Sequence, residues 1–201
     1  MRIVITGANS GIGQGLVDRL QDHSIIELTR NQLDLANIDE VLRYELAPAD
    51  MLINCAGTGV GGKIDFVNHV DENVVDILNT NLISPMLLTK KVLYSNANCK
   101  IVNITSTNNN RYWPNDLAYS LSKSALSSFG EMLRVEYPDI PYLEIRLGLI
   151  RTNFNHNRYR DHSHRFSDIY SDRPCLTVDH VVDRITSVLF DATIKFVEIS
   201  P

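Results

Sequence analysis

The run Arg2-Ile3-Val4-Ile5-Thr6 passes directly into Gly7-Ala8-Asn9-Ser10-Gly11-Ile12-Gly13, after which Ile12, Leu16, Val17 and Leu20 recur at helical spacing. A β-branched run that turns on glycines into an amphipathic helix is half of a strand-helix-strand unit, because glycine permits the tight junction. The rest of the chain repeats that alternation. Strand-like runs fall at 2 to 6, 24 to 29, 50 to 54, 100 to 105, 142 to 147 and 195 to 199, with a very short one near 32 to 34. Helical periodicity covers 11 to 22, 37 to 46, 71 to 94, 119 to 136 and 177 to 191. Such alternation predicts an α/β fold, a doubly wound parallel sheet with helices on both faces, as a single domain over residues 1–201. Between Arg30 and Asp34 there is no space for a crossover helix, so the sheet is expected in a trimmed form.

With 201 residues, of which 44% are hydrophobic and 21% charged, the chain can build one well-filled core. A formal net charge of -5 without long single-sign runs excludes the electrostatic footprint of a nucleic-acid or membrane-surface binder. No apolar run reaches membrane-spanning length, and the first strand follows Met1 too closely to leave room for a signal peptide. Cys55, Cys99 and Cys175 are odd in number and widely spaced, which fits reduced thiols in a cytoplasmic protein and no metal site.

Right-handed crossovers bring every connection that follows a strand to one edge of the sheet, where ligands of such folds collect. The glycine turn lies there and opens a helix whose N-terminal amides suit a dinucleotide pyrophosphate. Ser106 closes the apolar run Ile101-Val102-Asn103-Ile104-Thr105 and reaches the same edge. Tyr119 and Lys123 lie thirteen and seventeen residues further on, one helical turn apart, so they project from one face. An unperturbed phenol titrates near ~10, and a neighbouring ammonium favours its ionised form. Such a phenol can pass a proton to or from an oxygen as hydride moves at the adjoining carbon, with a serine hydroxyl holding that oxygen.

Together these pieces resemble the short-chain dehydrogenases/reductases, Rossmann-like proteins in their single-domain form, from Arg2 to about Ser200. The resemblance rests on the spacing TGxxxGxG, on Ser106, Tyr119 and Lys123, and on three further segments. It implies a catalytic group of Ser106, Tyr119 and Lys123 with Asn81, the last anchoring a water that relays protons to the lysine; bonding to local backbone is the alternative for Asn81. It implies a cofactor site made of Thr6, Gly7, Asn9, Ser10, Gly11, Ile12 and Gly13, of Asp34 and Leu35 beside an adenine ring, and of Asn54, Ala56 and Gly57. Tyr119 and Lys123 contribute to it, and Gly148, Ile150 and Thr152 would close over the nicotinamide, although Leu147 replaces the family's proline. Members that prefer NAD carry an acidic residue where Thr29 stands. With that carboxylate absent and Arg30 next in line, NADP(H) is favoured over NAD(H), a solvated charge being the alternative for Arg30.

The implied activity is hydride transfer between nicotinamide and a small carbonyl compound or secondary alcohol, in a homodimer or homotetramer built on the long helices. A catalytically silent nucleotide-sensing relative is the alternative. An epimerase or dehydratase would require a C-terminal substrate domain for which too little sequence remains. The substrate side should be walled by 107 to 116, which contains Asn108, Asn109, Asn110, Arg111, Tyr112 and Trp113, and by 154 to 174, which contains His156, Arg158, Tyr159, Arg160, His162, His164 and Arg165. The first suits a polar or anionic carbonyl compound. The loop at 151–175 reads as a basic lid or as a solvated loop, its histidines lacking the spacing of a zinc site.

Overall fold

The computed structural model describes residues 1–109, 113–158, 170 and 173–201. Six parallel strands, β1 (Arg2–Thr6), β2 (Ser24–Leu28), β3 (Met51–Asn54), β4 (Lys100–Ser106), β5 (Tyr142–Leu147) and β6 (Phe196–Ile199), form one sheet in the order β2-β1-β3-β4-β5-β6. The winding reverses between β1 and β3, which opens a crevice beyond their C-terminal ends.

Side chains alternate across the strands. Ile3, Ile5, Met51, Ile53, Val102, Ile104, Leu143 and Ile145 face α1 (Gly11–Arg19) and α7 (Val178–Leu189), where Leu16, Val181, Val182 and Ile185 complete an apolar layer. Val4, Leu52, Ile101 and Tyr142 face the opposite layer of α2 (Ile38–Arg43), α4 (Ser84–Ser95) and α5 (Leu117–Glu136). Near the strand ends that second face turns polar. Asn54 donates to Asn103 at 2.9 Å, and Glu144 accepts from Thr105 at 2.7 Å and Ser127 at 2.9 Å. Buried polar groups bonded in this way hold the strand ends in one arrangement.

The expected strand near 32 to 34 does not form. Gln32 and Leu33 donate their amides to the Thr29 carbonyl, and the Thr29 amide donates to the Gln32 side chain at 2.8 Å, so the chain folds into a turn anchored by buried Leu33. The helices expected at 11 to 22 and 37 to 46 end earlier, at Arg19 and Arg43. The helix expected over 71 to 94 is α3 (Asp71–Leu78), a single π turn (Asn79–Ile83) and α4 in succession. Within 151–175, α6 (Asn153–Arg158) forms, and the two ends of the segment are tied by a parallel bridge between Ile150 and Leu176. Asn110, Arg111, Tyr112, Tyr159, Arg160, His162, His164 and Arg165 lie outside the described residues.

Candidate active site

A cleft of about 1380 Å³ runs along the C-terminal edge of the sheet. Its lining follows the strand order: Arg30 and Asp34 after β2, the glycine turn after β1, Ala56 and Gly57 after β3, Ser106 at the end of β4, and Gly148, Ile150 and Thr152 after β5.

The glycines are required by close approach. A Cβ on Gly7, which has φ of +67°, would stand 2.9 Å from the Ala56 Cα, and one on Gly13 would stand 2.1 Å from the Gly7 carbonyl oxygen. Gly11 faces Thr152 across the cleft, 3.6 Å from where its Cβ would lie. Thr6 locks the two loops together, its hydroxyl accepting the amides of Cys55 and Ala56 at 3.0 Å each. These backbones and the α1 N-terminus make a cradle that fits a dinucleotide. Asn9 and Ser10 are exposed at its mouth and Ile12 is half-buried. Arg30 is also exposed and approaches Asp34 at 3.8 Å, while Leu35 is buried, its carbonyl accepting from Ser84 at 2.7 Å.

Ser106 and Tyr119 line the cleft together, and the Ser106 oxygen accepts the Asn108 amide at 3.2 Å. Burial pushes the Tyr119 phenol up, and the Arg158 guanidinium, 4.9 Å from the ring centroid, opposes that rise. Lys123, one turn along α5, is buried and donates to the Ile104 carbonyl at 2.9 Å. Desolvation brings Lys123 down to about 8, with the Cys55 thiol pulling the other way. The cation at the phenol ring is therefore Arg158, a residue that spacing alone does not connect with Tyr119.

Asn81 lies in the π turn. Its Oδ1 accepts the Thr58 amide at 2.8 Å, and its Nδ2 donates to the Thr58 carbonyl at 2.9 Å and to Ser122 at 3.0 Å. The side chain thus clamps the loop after β3 beside Lys123; a Cβ at Gly57 would lie 3.4 Å from Nζ and 3.5 Å from Asn81 Oδ1. Asn54 faces away from the cleft into the Asn103 pair.

Three further residues stand at the substrate end; Asp116 and Arg173 fall within the expected walls 107 to 116 and 154 to 174, and Lys63 lies outside them. Asp116 precedes α5, is 4% exposed, and accepts from Arg158 and from Asn108, the latter at 2.9 Å. Lys63 lies 3.9 Å from the Asp116 carboxylate, and Arg173 stands 5.0 Å from the centroid of the Trp113 ring. The available hint was an acidic residue immediately before the helix that carries Tyr119. It reads as a helix cap, yet its side chain makes no capping bond.

A model of the short chain dehydrogenase family matches residues 28–163, which include Asn81, Ser106, Tyr119 and Lys123. An NADP-dependent 3-hydroxy acid dehydrogenase of Schizosaccharomyces pombe is 27% identical over 93% of this chain and 86% of its own length. Dehydrogenase/reductase SDR family member 7B of Xenopus laevis is 31% identical over 77% of this chain, which spans 60% of that relative. Among solved structures, the closed form of a serine dehydrogenase complexed with NADP+ superposes with a TM-score of 0.83 at 20% identity, covering 99% of this chain and 94% of its own. A 4-hydroxyisoleucine dehydrogenase complexed with NADH gives 0.82 at 24%, covering 99% and 96%. These two share the fold.

Proposed function

The chain belongs to the short-chain dehydrogenase family and is an NAD(P)-dependent oxidoreductase of that family; within it, we propose, the protein uses NADP(H) to interconvert a small carbonyl compound and the corresponding secondary alcohol, with Tyr119 as general acid and base. The observation that carries this reading is that Ser106, Tyr119 and Lys123 line the same cleft as the glycine turn.

Bound nicotinamide supplies or accepts the hydride. In reduction Tyr119 gives its proton to the carbonyl oxygen, and in the reverse direction the phenolate takes it back. Ser106 donates to that same oxygen and does so most strongly as charge grows there. Lys123, buried beside the phenol, bonds the ribose and returns protons to Tyr119, while Asn81 holds the adjoining loop in register. Thr6, Gly7, Gly11, Gly13 and the α1 N-terminus hold the pyrophosphate, and Gly148, Ile150 and Thr152 bound the nicotinamide. Arg30 takes the 2'-phosphate, exchanging its exposed approach to Asp34 for a stronger anion. Exposed Leu117, Leu121, Met132 and Val135 on α5 support self-association along that helix.

Tyr119→Phe is expected to cut turnover at least about 100-fold while NADPH affinity changes little, checked by NADPH consumption and by fluorescence titration. Turnover at the wild-type rate would remove Tyr119 from the proton path.

A further inference from the structure

The proton path uses Ser106, Tyr119 and Lys123, yet one buried carboxylate beside them has no part in it. Glu144 sits midway along β5, is 2% exposed, and stands outside the residues that line the cleft. A carboxylate withdrawn from solvent in this way has to be bonded by the protein, and Glu144 is. Its Oε1 accepts from Thr105 at 2.7 Å, from Ser127 at 2.9 Å, from Arg146 at 3.2 Å and from Asn109 at 3.4 Å, and its Oε2 accepts from Ser127 at 2.9 Å.

The donors come from both sides of the reacting groups. Thr105 immediately precedes Ser106 on β4, and Asn109 closes the short 3₁₀ turn (Thr107–Asn109) that follows it. Ser127 stands one helical turn beyond Lys123 on α5, and Ser124, next to Lys123, donates to the Asn109 carbonyl at 3.1 Å. One carboxylate therefore ties together the chain before Ser106, the chain after it and the helix that carries Tyr119 and Lys123. A buried ion pair such as that of Glu144 with Arg146 adds little stability beyond what apolar side chains of the same size would give. Its effect is on geometry, since each donor is satisfied in only one place.

We infer that Glu144 is a positioning residue for the reaction: it fixes the Ser106 hydroxyl relative to the Tyr119 and Lys123 face of α5, so that one carbonyl oxygen can be met from both. The role rests on the oxidoreductase reading above and adds to it a residue outside the cleft. Reaction rate depends steeply on such alignment, whereas the nucleotide is held mainly at the glycine turn after β1, two strands away from β4. Glu144 therefore belongs to kcat and not to affinity.

The test follows consumption of NADPH and of NADH with cyclohexanone, benzaldehyde, butanedione and phenanthrenequinone. The compound turned over fastest is then used with Glu144→Met, Glu144→Gln and Thr105→Val, and nucleotide affinity is measured by fluorescence titration. Glu144→Met removes every acceptor, Glu144→Gln keeps one oxygen, and Thr105→Val cuts the single bond beside Ser106 at nearly constant shape. Glu144→Met is expected to lower kcat at least about tenfold with KM and nucleotide affinity within about twofold, Glu144→Gln to regain part of the loss, and Thr105→Val to lower kcat about threefold. An unchanged kcat in Glu144→Met, or KM and nucleotide affinity that weaken in step with kcat, would overturn the role; should Glu144→Met not fold, Glu144→Gln and Thr105→Val decide by the same criteria. No turnover of any of the four compounds by the wild type removes the oxidoreductase reading and the role with it, whereas wild-type turnover that passes unchanged into the variants removes the role alone.

Discussion

Lys123 and Tyr119 set the pH dependence to be expected of the site. Desolvation lowers Lys123 from 10.5 to about 8, so between those values the folded chain has shed a proton that the unfolded chain still holds. Ionised Lys123 therefore opposes folding below about 8, and that opposition fades as pH climbs to 10.5. Activity is expected to run the other way, because the ammonium proposed to return protons to Tyr119 is lost across the same interval. With NADPH and a carbonyl substrate, kcat is expected to fall through about pH 8. The phenol, pushed above 10.0 by its burial, would give only a later limb. A kcat profile flat to pH 10 would show that Lys123 does not need its charge. Arg30 makes a second prediction at this scale: Arg30→Ala should weaken NADPH binding about tenfold and leave NADH binding nearly unchanged, measured by fluorescence titration.

The packing of α5 on the sheet depends on Gly130. A Cβ there would overlap the hydroxyl of the buried Tyr142, at 1.8 Å, so α5 can approach β5 only where that side chain is missing. Alanine is the better helix former, yet Gly130→Ala should lower stability by about 1–3 kcal/mol through overpacking, measured by denaturant unfolding. The inner strands were legible in the sequence because Ile, Val and Leu crowd them and both faces are covered. The helix over 71 to 94 was legible as a helix, but its π turn was not, because the hydrophobic period hardly changes across one turn of altered winding. The segment 32 to 34 was misread as a strand because the Gln32 side chain bonds the Thr29 amide and shapes a turn there, with Leu33 buried beneath it. The glycine turn, Ser106, Tyr119 and Lys123 could be read from spacing within one unit. Arg158 and Asp116 could not, since 42 residues separate them and only the sheet brings them together.

On the scale of the whole molecule, apolar residues of α5 remain exposed, and if the chain self-associates there, Leu121→Glu with Val135→Glu should yield a monomer by sedimentation velocity while the wild type sediments as a dimer or tetramer. Among the described residues β2 is an edge strand of the sheet, and the chain leaves it in a surface turn in which Arg30, Asn31 and Gln32 are exposed. In a larger sheet the chain beyond β2 would continue into packed elements, and any change there would disturb the interior. Here the groups proposed to meet the distal end of the nucleotide belong to a surface turn anchored by Leu33 and Leu35. Nucleotide choice is thereby uncoupled from foldability: a lineage could drift between the two dinucleotides by exchanging a few exterior side chains, with the melting point left where it was.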